Sequence, residues 1–183
     1  MSQIKIILLI NFLILQLIWY FTSGYSLRDY FNNLKKIRTV FIWSFGLLLY
    51  LQIFGILSYS FSPLGRSSYL SYFGLLLNST GLILCLWAKI TMSKNWGPPA
   101  QHDLKKQKDL VTDGPYSYSR NPIYLGLMLI FTGFQLALNS LLFFLIIPLF
   151  FLIRKAVLIE EQLLEDFFKK EYLDYKKNVP RFI

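Results

Sequence analysis

The sequence predicts an all-α, polytopic membrane protein with about five transmembrane helices and a C-terminal amphipathic helix. Three observations carry that expectation. Of 183 residues, 55% are hydrophobic and 18% aromatic, more apolar side chain than a soluble fold of this size can hide. Charged residues make up only 16% and cluster between long uncharged runs instead of recurring along every helix. Two of those runs, Thr39 to Phe61 and Tyr69 to Ala88, hold no formal charge over 23 and 20 residues. Each is long enough to cross a hydrocarbon core about 30 Å thick.

The elements follow in order. Ile4 to Phe21 is apolar except for Lys5, Asn11 and Gln16. It reads as a retained first span and not a signal peptide, because its start carries a single lysine and no small-residue cleavage pattern follows. Thr39 to Phe61 and Tyr69 to Ala88 are the second and third spans. Lys89 to Asn121 is polar and carries Pro98, Pro99 and Pro115, which forbid a continuous helix. Trp96, Tyr116 and Tyr118 argue for an ordered, functional loop. Pro122 opens an apolar stretch to Leu138, and proline suits a first helical turn because its missing N–H would be unpaired there. Asn139 and Ser140 make a turn. One helix then runs from Leu141 through Arg154 and Lys155 to Ile159. At about 1.5 Å per residue, Ser140 to Arg154 covers about 21 Å, less than the hydrocarbon thickness. Both cations therefore lie below the interface, where they either snorkel outward or face a polar cavity, and Arg154 is a candidate functional group. Beyond Glu160, Leu163, Leu164, Phe167, Phe168, Tyr172 and Tyr175 recur at helical spacing among lysines. That pattern predicts an amphipathic helix lying against the bilayer or the long loop. The chain thus divides into a three-helix transmembrane region, 1–93, and a region of loop, helical hairpin and C-terminal helix, 94–183.

The net charge is +9, but the basic residues flank hydrophobic runs and form no stripe of the kind that grips nucleic acid. They set an orientation instead. With the N-terminus outside, the first inner loop holds Arg28, Lys35, Lys36 and Arg38, and the long loop and C-terminal tail hold nearly all the rest. Only Lys5 and Arg66 fall outside, so the long loop and tail are expected to face the cytoplasm together. The expected setting is a bacterial inner membrane, or the endoplasmic reticulum in a eukaryote. One cysteine, Cys85, and one histidine, His102, leave no disulfide framework and no Cys- or His-rich metal site.

Three segments meet at that face: GPYSYSRNPIYLG from Gly114 to Gly126, the acids Glu160 and Glu161, and YLDYKKNVPRF from Tyr172 to Phe182. Singly each has an ordinary reading, as a helix cap, a solvated helix face or an interfacial tyrosine belt. Together, in this order, they resemble the isoprenylcysteine carboxyl methyltransferase family and its phospholipid methyltransferase relatives, over roughly Asn95 to Phe182. The family pattern LVTxGPYxxxRHPxYxG reads LVTDGPYSYSRNPIYLG here, from Leu110.

The resemblance implies S-adenosylmethionine as methyl donor, a lipid-like or prenylated acceptor, and a donor pocket lined by Gln101, Lys108, Asp109, Leu110, Val111, Tyr116, Asn121, Tyr124 and Glu160. Tyr124 and Arg154 are the candidate catalytic groups. The residue types suit the donor. An acid can pair with its ammonium, aromatic faces with its adenine and sulfonium, and Asn121 with a polar edge. Glu160 and Glu161 stand about 100° apart on a helix, so one of them, Glu160, is expected inward and Glu161 second to it or on the surface. Two departures stand out. Asn121 replaces the family's frequent histidine, and Ala156 stands where carboxyl methyltransferases carry an arginine near the acceptor carboxylate. Two other readings are an NADPH-dependent sterol or steroid reductase, which shares the arginine-proline-tyrosine segment, and a non-enzymatic scaffold that binds neither cofactor.

Overall fold

The computed structural model describes residues 2–22, 46–57, 67–92 and 109–182. Its helices are α1 (Gln3–Thr22), α2 (residues 46–53), α3 (Ser68–Met92), α4 (Pro122–Ala137), α5 (Ile146–Phe168) and α6 (Lys170–Asn178), with short 3-10 turns at Gly114–Ser117 and Leu141–Leu145. No strand occurs among the described residues. Three stretches are long and apolar enough to cross a membrane: Gln3–Phe21, Ser68–Met92 and Leu141–Phe168. The expected fourth span is the shorter apolar helix α4, 16 residues long. At about 1.5 Å per residue α4 measures about 24 Å, just short of the hydrocarbon core. Of the expected second span, only residues 46–57 are described, and the proposed division at 93/94 lies outside the described residues.

Neighbouring helices alternate in direction, as side-chain contacts at the two ends show. At one end Lys5 of α1 donates from Nζ to the carbonyl of Gln52 at the end of α2 (3.5 Å), and Leu8, Ile53 and Ala137 share one core cluster. At the other end Trp19 of α1 meets Ala88 and Met92 of α3, Tyr116, and Ile123 at the start of α4. There Lys89 Nζ also lies over the Trp19 ring, 5.6 Å from its centroid.

The apolar helices contain few polar residues, and these bond to one another. Gln52 and Gln135 exchange reciprocal amide hydrogen bonds of 3.0 Å, and Gln52 also donates to Ser140 Oγ. Asn78 donates to the Ile130 carbonyl (2.9 Å) while its own Oδ1 accepts from Asn11 Nδ2 (2.9 Å). In lipid, where no water competes, such bonds and close backbone packing replace the hydrophobic drive between helices. Packing is tightest between α3 and α4. Gly74, Gly81, Gly126 and Gly133 let the two backbones touch, and a Cβ on Gly81 would fall 2.6 Å from the Gly126 carbonyl oxygen.

Helix ends follow their local chemistry. Gly55, at φ +78°, ends α2: its N–H bonds the Gln52 carbonyl and the N–H of Ile56 bonds that of Leu51, the paired bonds of a Schellman cap. The helix therefore stops earlier than the uncharged run to Phe61 suggests, because a glycine in the left-handed region outweighs continued hydrophobicity. Asn139, at φ 50°, ends α4 in the same way, with bonds from Asn139 N to Leu136 O and Ser140 N to Gln135 O. Its side chain is tied to Ser67 and Ser71 at the start of α3. The expected turn at Asn139 and Ser140 is thus present, and the next helix does run unbroken past Arg154 and Lys155. The amphipathic stretch differs from expectation. Lys169 adopts φ 50° and ψ −117°, so the pattern read as one helix is the end of α5, a sharp corner, and α6 folding back. Lys176 and Glu165 bridge the corner at 2.8 Å.

Gly133→Leu is expected to force α3 and α4 apart, at a cost of about 1–3 kcal/mol. The thermal unfolding midpoint of the detergent-solubilised protein should fall, whereas Leu76→Ala, at a position 65% exposed on α3, should leave it nearly unchanged.

Candidate active site

The three segments singled out in the sequence converge at the end of the helices marked by Trp19 and Met92. Gly114, at φ +57°, packs against Thr91 and Trp87 of α3, where a Cβ would crowd Thr91 Oγ1 at 2.9 Å. Pro115 then starts the 3-10 turn that buries Tyr116. The chain continues through Ser119, Arg120 and Asn121 into α4, whose first turn presents Tyr124. From α5 come Glu160, Glu161 and Leu164, and from α6 Tyr172 and Tyr175.

Glu161 organises the convergence. Its carboxylate accepts from Arg120 Nε (3.2 Å) and pairs with Arg120 Nη2 at 3.0 Å. It also accepts from Asn121 Nδ2 (3.2 Å), and from Arg181 Nε (3.1 Å) and Nη2 (2.8 Å) in a forked pair. The side chains of Glu161 and Arg120 are only 5% and 8% exposed. Arg120 directs Nη1 to the carbonyls of Lys176 (2.9 Å) and Val179 (3.2 Å), and its backbone N–H to that of Pro180 (2.9 Å). Asn121 and Ser119 bond the Arg181 carbonyl. The C-terminal segment is thereby stitched to the loop before α4. Hydrogen bonding to Glu161 holds the Arg181 guanidinium above its usual range.

Glu160, one residue earlier, is half-buried and lines a separate face of the same region. Its Oε2 accepts a hydrogen bond from Tyr124 Oη at 2.8 Å. Between Glu160 and the loop lies a cleft of about 620 Å³ of empty space counting its open mouth. Aromatic residues form much of its wall: Tyr116 from the loop and Tyr124 from α4, with Tyr172 and Tyr175 from α6. Tyr175 Oη donates to the Tyr116 carbonyl at 2.6 Å, tying the two walls together. Burial, with Glu160 nearby, holds the Tyr116 phenol above its ordinary range, so it stays neutral.

Of the residues expected in a donor pocket, Leu110, Val111, Tyr116, Asn121, Tyr124 and Glu160 all line this cleft. Asp109 is exposed and does not, and Gln101 and Lys108 lie outside the described residues. Arg154 does not reach the cleft either. It is exposed on α5, on a different face from the inward row of Ile153, Val157 and Glu161. Glu161 is not a surface residue: the only charge that could neutralise Arg120 in this buried setting is a carboxylate, and helix geometry brings Glu161 to it. Sequence reasoning did not assign Arg120, Arg181, Tyr172 or Tyr175 to the site. The available signal was that two motif ends each carry an arginine, one in SRNP and one in VPRF, and that the paired glutamates are the acids the sequence places with them.

A family model described as phospholipid methyltransferase matches residues 69–171, which include α3, α4, α5 and the described loop. The chain belongs to that family. Among similar curated proteins, the protein-S-isoprenylcysteine O-methyltransferase of Schizosaccharomyces pombe is 42% identical over 82 residues, 42% of this chain and 34% of its own length. That of Tribolium castaneum is 32% identical over 131 residues, 69% of this chain and 46% of its own. The B form from Arabidopsis thaliana is 26% identical over 175 residues, covering 91% of this chain and 88% of its own. The chain spans less than half the length of the yeast and beetle relatives.

Glu161→Gln should lower the thermal unfolding midpoint strongly, because two guanidinium groups lose the anion that neutralises them, a loss of about 3–5 kcal/mol for a buried pair. Glu160→Gln should shift the midpoint far less. Equal shifts in circular dichroism melts would contradict the division of labour between the two acids.

Proposed function

We propose that this chain is an integral membrane methyltransferase that takes its methyl group from S-adenosylmethionine and passes it to a lipid-like acceptor. The observation that carries the reading is the Glu160 carboxylate, held by Tyr124 and presented in an aromatic-walled cleft where helices α3 to α6 meet. The residues suit the donor: one acid for an ammonium, and tyrosine faces for adenine and a sulfonium. When bound, the donor supplies a methyl carbon activated by positive sulfur.

The work left to the protein is placement. Tyr124 fixes the rotamer of Glu160 through Oη, so the carboxylate is pre-organised as a counter-charge. Tyr116 is held by burial and by its carbonyl's bond from Tyr175. Asn121 spends both amide hydrogens on Glu161 and the Arg181 carbonyl and offers only its carbonyl oxygen. Methyl transfer by in-line displacement needs near-attack geometry and exclusion of water more than it needs a protein nucleophile. The family resemblance implies Gln101 and Lys108 as further donor contacts, and both lie outside the described residues.

The acceptor belongs to the lipid phase, and the site's proposed orientation is cytoplasmic, supported by the lysine and arginine bias of the loops. The matched relatives are named for isoprenylcysteine O-methylation. Here Ala156 packs with Tyr124, Ile153 and Val157, so the position that would hold a carboxylate-binding arginine is apolar. Family membership favours methyl transfer over hydride transfer from NADPH.

Membranes containing the chain, incubated with methyl-labelled donor, should transfer label to a lipid-extractable product, and label in no lipid or protein would refute the reading. In donor-binding titrations of purified protein, Glu160→Gln and Tyr116→Ala should each weaken affinity by about tenfold or more, in line with losing a charged or stacking contact. Unchanged affinity in either variant removes that residue from the pocket.

A further inference from the structure

The cleft is rich in hydrogen-bond donors, but the structure has already committed nearly all of them. Tyr124 Oη donates to Glu160 and Tyr175 Oη to the Tyr116 carbonyl. Tyr116 Oη turns to the sulfur of Met92 at 3.8 Å. Arg120 is divided between Glu161 and the carbonyls of Lys176 and Val179. Asn121 has given both amide hydrogens away. Tyr172 is the exception. It is 1% exposed, lines the cleft from α6, and its ring packs edge-on to that of Tyr175 with centroids 6.0 Å apart. No hydrogen bond to its hydroxyl is formed by any described residue, although Tyr172 is one of the residues that line the cleft.

A buried phenol with nothing to bond is costly unless a ligand completes it. The chemistry of the ligand's nearest end follows from Glu160. If that carboxylate takes the ammonium of an α-amino acid, the amino acid's own carboxylate hangs from the same carbon and must find a donor close by. A second carboxylate next to Glu160 is otherwise repelled. Burial, then Glu161, keeps the Tyr172 phenol above its ordinary range, so a proton is there to give at any physiological pH.

We propose that Tyr172 is the residue that binds the carboxylate of the methyl donor's amino-acid end, its O–H donating where Glu160 takes the neighbouring ammonium. This assignment rests on the donor reading given above and adds a group outside the residues that the family resemblance implies. It makes α6 part of the donor site, so the fold-back at Lys169 serves binding as well as packing.

Isothermal titration of the full-length, detergent-solubilised protein with S-adenosylmethionine and with its decarboxylated analogue tests the assignment. Wild type should bind the analogue about tenfold more weakly, and Tyr172→Phe should weaken the intact donor by about tenfold, the size of one charge-assisted hydrogen bond. The same variant should bind the analogue within about twofold of wild type and keep its unfolding midpoint, because phenylalanine preserves the ring packing. Unchanged affinity for the intact donor overturns the proposal, as does an equal loss for both compounds, which would mean the hydroxyl acts through packing. A Tyr172→Phe protein that fails to fold overturns it too, since the hydroxyl would then have a structural partner. Wild type that binds neither compound defeats the donor reading itself, a result distinct from the others.

Discussion

A carboxylate shared by two arginines, buried where a loop, a helix end and the chain's C-terminal segment meet, holds the site together. Glu161 neutralises Arg120 and Arg181 at once, and Arg120 spends its remaining N–H groups on carbonyls of the returning segment. A buried ion pair is a weak source of stability by itself, because removing both charges from water offsets most of the attraction. What it supplies here is specificity. The returning segment can dock in one register only, the one that presents two carbonyls and a guanidinium to the loop. That register sets Tyr172 and Tyr175 against the cleft, and the cleft has no second wall without them.

The division between the adjacent glutamates follows from helix geometry. About 100° of rotation separates their side chains, so a helix that buries Glu161 in the arginine cluster turns Glu160 toward the neighbouring space. One acid is saturated by cations and carries structure. The other receives a single bond from Tyr124 and lines the cleft. The same helix thus builds the scaffold and furnishes the site, which couples their geometry within a single turn.

Behind both lies a packing constraint from lipid. Tyr116 packs where α3 ends and α4 begins, and the approach of those helices is set by glycines on both faces together with the bond from Asn78 to the Ile130 carbonyl. Without a hydrophobic drive to bring apolar helices together, small residues that admit backbone contact and polar groups that must find partners decide where each helix stops. The position of the site is inherited from that contact.

The sequence by itself determined that the chain is helical and membrane-embedded, that Pro122 starts a helix and Asn139 ends it, and that one helix carries Arg154 and Lys155 through without a break. Those features follow from local rules: proline lacks an N–H, asparagine tolerates the left-handed region, and long uncharged stretches partition into lipid. The family resemblance grouped Gln101, Lys108, Asp109, Leu110, Val111, Tyr116, Asn121, Tyr124 and Glu160, and six of these, Leu110, Val111, Tyr116, Asn121, Tyr124 and Glu160, line one cleft. Tertiary structure decided the rest. The stop at Gly55 and the corner at Lys169 depend on backbone conformations that hydrophobic periodicity does not report. That Glu161 lies inside, that Arg154 points away, and that α6 returns to contribute Tyr172 and Tyr175 are outcomes of which charge finds which partner across 20 to 60 residues of chain. Pairing over such distances is a property of the folded arrangement, and no window of sequence contains it.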